Sequence, residues 1–291
     1  MLVALCSTPA RMLRATALTG DNKMKRIHVS VSCTTILLFS TAAFLTAQNK
    51  VPVSDPQAVS YAKQAIQALT LGTSVSDVTV NGNVSSISST GTERGTATLN
   101  GKGLGESRVD LFLGRGTKTE VRNGTSGVPL GNWYGTDGLV HEYATQNSWT
   151  DAVWFFPALS SLTTPPGANI VLSYIGQETR GGIQVQHIQS YVYAFGQDPL
   201  TISHVQSMSG MDFYLDNSSF LPVAVVFNAH PDNDSNTNLA LEIDFSDYRS
   251  VNGFQIPYRI QKLFQGTLQI DFTTTSAVVN PGLSDSIFAI K

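Results

Sequence analysis

The sequence predicts a mainly β protein: antiparallel strands with a few helices, in a chain that is exported after losing its N-terminal segment. Three observations lead there. From Val75 onward the apolar residues fall at alternate positions in short runs, and Gly, Asn and Asp turns separate those runs. One segment, residues 54–72, keeps a helical period instead. Ahead of both lies the three-part layout of a secretory leader.

The leader opens at Met24, with Lys25 and Arg26 as its positive region. Ile36–Leu45 is an apolar run of ten residues, and small residues follow up to Ala47. Ten residues span about 15 Å as a helix, against the roughly 30 Å of a bilayer core, so a retained anchor is not expected. Cleavage after Ala47 places Leu45 where a small residue is preferred, and cleavage after Ala43 is the alternative. The competing reading of this run is a buried helix of the folded protein. Residues 1–23 are read as an over-extended frame before a true start at Met24, or as part of a long leader beginning at Met1. The expected organisation is a leader over 1–47 and one domain over 48–291, located in the periplasm or secreted.

Removing the leader changes the chemistry available. Cys6 and Cys33 are the only cysteines and both precede the cleavage site, which excludes disulfides, thiolate metal sites and thiol nucleophiles from the mature chain. A lipid-anchored protein would carry its cysteine after the apolar run, whereas Cys33 comes before it. Of 18 Lys/Arg and 21 Asp/Glu, five and one lie before Gln48, which leaves 13 against 20 and a formal charge of −7. An acidic surface argues against a nucleic-acid partner and against electrostatic docking on anionic lipid.

Within residues 54–72, Ser54 or Asp55 can cap and Pro56 suits the first turn. Val59, Ala62, Ile66 and Leu69 form one apolar stripe, and Gly72 can close the helix in a left-handed conformation. Strands are then predicted over Gly95–Leu99, Arg108–Leu113 and Lys118–Arg122, with Val109, Leu111 and Leu113 on the face opposite Arg108, Asp110 and Phe112. After a loop at Thr163–Gly167 the pattern resumes at Ile170–Ile175, Ile183–Tyr193, Met211–Leu215, Leu221–Ala229, Leu239–Tyr248, Phe254–Phe264 and Thr267–Val279. Gln265-Gly266 marks a tight hairpin. Pro222 and Pro257 belong at strand starts or edges, since proline cannot donate to a ladder.

Asn147–Leu162 interrupts the pattern with a dense aromatic group. Trp149, Trp154, Phe155 and Phe156 fall within eight residues, with Trp133 nearby, on what reads as a short helix capped by Thr150 and stopped by Pro157. These five aromatics either close a core or line a ligand cavity, and they are the candidate binding residues. No catalytic residue, cofactor motif or metal site is predicted. The sequence lacks a phosphate loop, a nucleophile elbow and zinc-ligand spacing, and Gly101-x-Gly103-x-Gly105 sits between strands as a turn. His141, His187, His204 and His230 are not spaced as metal ligands. Asp232–Asn238 alternates oxygen side chains as a calcium loop does, but it lacks the central glycine, has Ile243 at the twelfth position, and reads as a solvated hairpin loop.

The last third carries a resemblance. The residues MDFYLDNSSFLPVAVVF from Met211, EIDFSDYRSVNGFQIPYRIQ from Glu242 and VVNPGLSDSIF from Val278 follow one another in an order and spacing similar to the half-barrel family of periplasmic lipoprotein carriers and outer-membrane lipoprotein receptors, and to the related sensor domain that restrains anti-sigma factors. The resemblance implies a single incurved antiparallel sheet, a half-barrel, with helices on its concave face and a cavity that takes acyl chains. Insertions are expected around Asn147–Gly167 and Pro231–Asn238. The basic residue that helps a carrier hold its cargo has no counterpart that can be matched, so lipoprotein transfer is not carried over. The expectation is a non-catalytic binding protein for an acyl chain or a lipidated protein, with no membrane span after processing. The alternatives are a periplasmic protein-interaction or sensing domain, and an enzyme using the same cavity.

Overall fold

The computed structural model describes residues 51–103, 105–124, 129–150 and 169–291. All of them lie in the unit Asn49–Lys291. Among the described residues no helix is long and apolar enough to cross a membrane.

Helix α1 spans Pro56–Thr70. Asp55 is its cap, with Oδ1 accepting from the Gln57 and Ala58 amides at 2.7 and 3.4 Å. Ser54, the other candidate cap, instead accepts the Leu172 amide on its Oγ at 3.0 Å, and the Asp55 amide donates to the Leu172 carbonyl at 2.8 Å. The left-handed exit is shared by Leu71 (φ 48°) and Gly72 (φ 82°). The buried stripe is Ala58, Ala62, Ala65 and Leu69, with Val59 and Ile66 half-buried beside it. Three alanines against the sheet let the helix backbone come close, and this turns the predicted stripe slightly.

Thirteen strands follow: β1 Asp77–Ser88, β2 Gly91–Lys102, β3 Glu106–Leu113, β4 Gly116–Asn123, β5 Leu130–Tyr134, β6 Val140–Glu142, β7 Ile170–Arg180, β8 Ile183–Val192, β9 Met211–Asp216, β10 Pro222–Ala229, β11 Leu239–Val251, β12 Phe254–Phe264 and β13 Thr267–Val279. A second helix, α2, spans Pro199–Ser209 between β8 and β9. They form one antiparallel sheet in the order β6-β5-β4-β3-β2-β1-β13-β12-β11-β10-β9-β8-β7. Every neighbouring pair is consecutive in the chain except β1 and β13, which join the two ends of the strand sequence at the centre of the sheet, from Val78↔Val279 to Ser86↔Ile270. The sheet does not close. It is an incurved half-barrel with β6 and β7 as its two edges.

Both edges are blunted. β6 is three residues long. β7 meets Ser54 and Asp55 at Leu172, and its pairing with β8 is broken by a bulge at Ile175. Short, covered or bulged edges resist pairing with a foreign strand.

Strand alternation gives the concave face its core. Phe213, Phe254, Phe272, Leu99, Leu172, Ile188, Ile256 and Ile260 are fully buried, each worth about 1.5–3 kcal/mol in transfer terms. α1 packs mainly on β12, β7 and β8 within this core. At the central seam a register shift falls between Asn81 and Gly82, where a Cβ on Gly82 would stand 2.3 Å from the Thr273 carbonyl and 2.5 Å from the Phe272 ring. Pro222 starts its strand, as expected. Pro257 lies inside β12, but outside the stretch that pairs with β13, which runs from Arg259↔Thr273 onward; its carbonyl accepts the Thr274 hydroxyl at 2.9 Å. The missing amide is tolerated there because that side of the ladder has ended. On the opposite face the C-terminal residues cross β2 to β5, their carbonyls held in turn by Lys102, Arg108, Asn123 and Asn132, with Phe288 fully buried.

Candidate functional site

The concave face is apolar over most of its width, and two accessible places stand out, one on it and one along α1. The first is a polar and aromatic strip at the β4–β6 end. Register puts Arg122 and Glu120 of β4, Trp133 of β5 and His141 of β6 on the same face as Val109 and Leu111. The Arg122 guanidinium lies 3.5 Å over the Tyr143 ring and is almost fully buried. Trp133 stacks on His141 with ring centroids 4.0 Å apart and an interplanar angle of 12°. It remains 39% exposed. His141 Nε2 pairs with Asp137 Oδ2 at 2.9 Å, and this bond together with the Leu139 amide holds the Asp137 carboxyl below its ordinary range.

The second place is a groove of about 530 Å³ along α1, lined by Lys63, Gln64, Gln67, Ala68, Leu71 and Phe220. The four helical residues and the C-cap Leu71 follow the three- and four-residue spacing of a single stripe, next to the buried one. Phe220 comes from the β9–β10 turn.

Of the predicted aromatics, Trp133 and Trp149 are among the described residues. Trp133 is on the strip just described. Trp149 lies half-buried in the segment leaving β6, with its indole Nε1 buried and without a hydrogen-bond partner among the described residues. That segment runs to the other half of the sheet: Asn147 exchanges two hydrogen bonds with the His230 backbone at 2.7 and 2.8 Å, and Gln146 donates to the Pro231 and Asp232 carbonyls. Trp154, Phe155 and Phe156 lie outside the described residues, as does the loop Thr163–Gly167.

The four histidines among the described residues occupy four unrelated settings. His141 stacks on Trp133, His204 is exposed on α2, and His230 is buried with Nδ1 on the Thr237 carbonyl at 3.1 Å. A carbonyl only accepts, so Nδ1 carries the proton there. His187 sits on the convex face, between Asp212 at 2.8 Å and Glu178 at 3.4 Å, against the Tyr214 ring. Beside it Arg180 lies 4.0 Å over Tyr214 and pairs with Glu242. Burial, with Glu242 beside it, raises the Asp244 carboxyl to about 7. Among the described residues no three His, Cys, Asp or Glu groups are placed to hold a metal ion. Asp234, in the calcium-like loop, spends its carboxylate on the Thr237 hydroxyl and the Asn236 amide, as an ordinary hairpin turn does.

No family model matches the chain, and no curated protein matches it. Solved structures do. An outer-membrane lipoprotein-sorting protein domain from Vibrio parahaemolyticus superposes with a TM-score of 0.53 at 10% identity, covering 80% of this chain and 96% of its own. This chain has the lipoprotein-carrier fold. A LolA superfamily protein from Nitrosomonas europaea gives 0.51 at 12% identity, covering 80% and 97%. A DUF1329 family protein from Desulfovibrio piger gives 0.52 at 12%, covering 81% and 98%. Likeness at such low identity speaks for the fold. The groove beside α1 and the Arg122–Tyr143 pair were not singled out from sequence. Both join residues far apart in the chain or on different elements. The one local hint was a second stripe on α1, from Lys63 to Leu71, that alternates with the buried one.

Proposed function

We propose that the mature chain is an exported, non-catalytic binding protein that holds an acyl chain, of a lipid or a lipidated protein, against the concave face of the half-barrel. The observation that carries the reading is the continuous apolar concave face of a carrier fold, spanning Leu111 on β3 to Leu172 on β7. α1 covers mainly the part over β12, β7 and β8. In this reading the candidate aromatics Trp133, Trp149, Trp154, Phe155 and Phe156 supply contacts to the ligand. The blunted edges β6 and β7 favour a ligand on the face over a peptide added to an edge.

Two measurements on the mature protein test this. Native mass spectrometry of material purified from exporting cells, without added lipid, is expected to show a co-purifying mass in the lipid range. Trp154→Ala is expected to weaken binding of a fluorescent fatty acid while costing less than the about 3–5 kcal/mol of a core aromatic truncation, because a wall ring faces space or a mobile chain on one side. A parent protein that binds no fatty acid, together with a full core-sized loss in the variant, would leave the aromatic segment as a plug and remove the case for a carrier.

A further inference from the structure

The groove along α1 has a feature that packing does not require. Phe220, which forms one wall, has φ 58°. A bulky residue in the left-handed region is a genuine outlier, and glycine would take the same position without strain. The turn is built to hold it there. Asp216 Oδ1 accepts the Ser218 and Ser219 amides and the Ser219 hydroxyl at 2.7–3.0 Å, while its backbone bonds both Phe220 and Leu221. Tyr61 stacks on the ring at 6.0 Å and 25°, and so fixes its orientation. Strain maintained by its surroundings points to a task for the ring.

The geometry points to a binding site for a single-chain amphiphile with an anionic head, lying lengthwise in this groove. Ala68, Leu71 and Phe220 form its apolar end, and Leu71 stays 54% exposed although it is large and apolar. Lys63, Gln64 and Gln67 form the other end. Lys63 makes no hydrogen bond or ion pair with any described residue, so its ammonium group is available to a carboxylate or phosphate. The eight steps from Lys63 to the C-cap Leu71 set head and tail about 12 Å apart along the helix axis. A volume of about 530 Å³ is in the range of small-ligand pockets. This rests on the reading that the chain binds an acyl ligand, and adds where a charged head is read.

The test is titration of the mature protein with parinaric acid and, in parallel, its uncharged methyl ester, followed by fluorescence. Lys63→Glu is expected to weaken the acid about five- to tenfold at low salt and leave the ester unchanged, as expected for an exposed charge contact. Phe220→Gly and Leu71→Asn, both compatible with the left-handed backbone, are expected to weaken acid and ester alike about tenfold while the melting temperature holds within a few degrees. Displacement by lysophosphatidylglycerol below the concentration needed for laurate assigns a phospholipid as the source, and the reverse order a free fatty acid. If the parent binds parinaric acid and all three variants bind it equally well, the groove assignment is overturned and the concave-face reading stands. If Trp154→Ala and all three variants match a parent that binds neither probe, both fall together.

Discussion

Replacing Asp244 by Asn should stabilise the protein at neutral pH and do little in acid. Asp244 and Glu242 lie two residues apart on the convex side of β11, with Arg180 reaching Glu242 from β7. Burial is the main reason that the Asp244 carboxyl rises to about 7, Glu242 adds to it, and Arg180 opposes it. The folded chain therefore keeps this proton between about pH 4 and pH 7, while the unfolded chain loses it. By linkage, this group's contribution is fully present below the ordinary carboxyl value of 3.8 and is lost as pH rises through about 7. At 1.36 kcal/mol per pH unit, the displacement is worth roughly 4 kcal/mol at full strength. The side chain is only about half buried, and solvent and Arg180 screen it, so about 1–2 kcal/mol is expected. Asn mimics the protonated acid and can donate its amide to Glu242. In a unit the size of Asn49–Lys291 this corresponds to a gain in Tm of about 2–8 °C at pH 8, shrinking towards zero near pH 4. The assay is thermal unfolding of parent and variant at both pH values. The other charged groups on this face, His187, Asp212 and Glu178, are common to parent and variant, so the comparison at each pH isolates position 244. A Tm difference that is the same at pH 4 and pH 8, or a variant that melts lower at pH 8, would refute the reasoning.

Export and redox behaviour can be tested together: N-terminal sequencing of secreted protein should start at Phe44 or Gln48, and a reductant should leave its Tm unchanged, since Cys6 and Cys33 are then gone. Gly82→Ala should cost several kcal/mol or prevent folding, because the new methyl meets backbone and ring at the central seam, whereas Gly114→Ala, with open space around it, should stay within about 0.5 kcal/mol by chemical denaturation. Asp55→Ala should lower stability by about 1 kcal/mol through the lost cap of α1, and Asp55→Ser should recover most of it.

The elements that sequence reading located are those whose cause is local. α1 is announced by Asp55-Pro56 and its repeating apolar stripe, and the last hairpin by Gln265-Gly266, whose φ values of 48° and 73° are those a tight two-residue turn requires. β11 to β13 follow from alternation between such turns. α2 was missed although Asp198-Pro199 repeats the device of Asp55-Pro56, with Asp198 accepting the Leu200 and Thr201 amides. Its only buried residue is Ser209, so no apolar stripe marks it. β5 and β6 were missed because five and three residues, with glycine at 131, 135 and 138, are too short to display a period.

The sequence alone determined the mainly β character and the run of strands after Met211, because each is set by neighbours a few residues away. Only the tertiary structure decided that β1 pairs with β13 some 190 residues later, and that β6 and β7 become opposite edges. The same holds for the groove, which needs α1 and a turn 150 residues beyond it, and for Asp244, whose titration depends on burial and on Arg180 from another strand. Alternation says which side chains share a face. It does not say which strands will lie together or what will cover them, and those choices are made by burial over the whole chain.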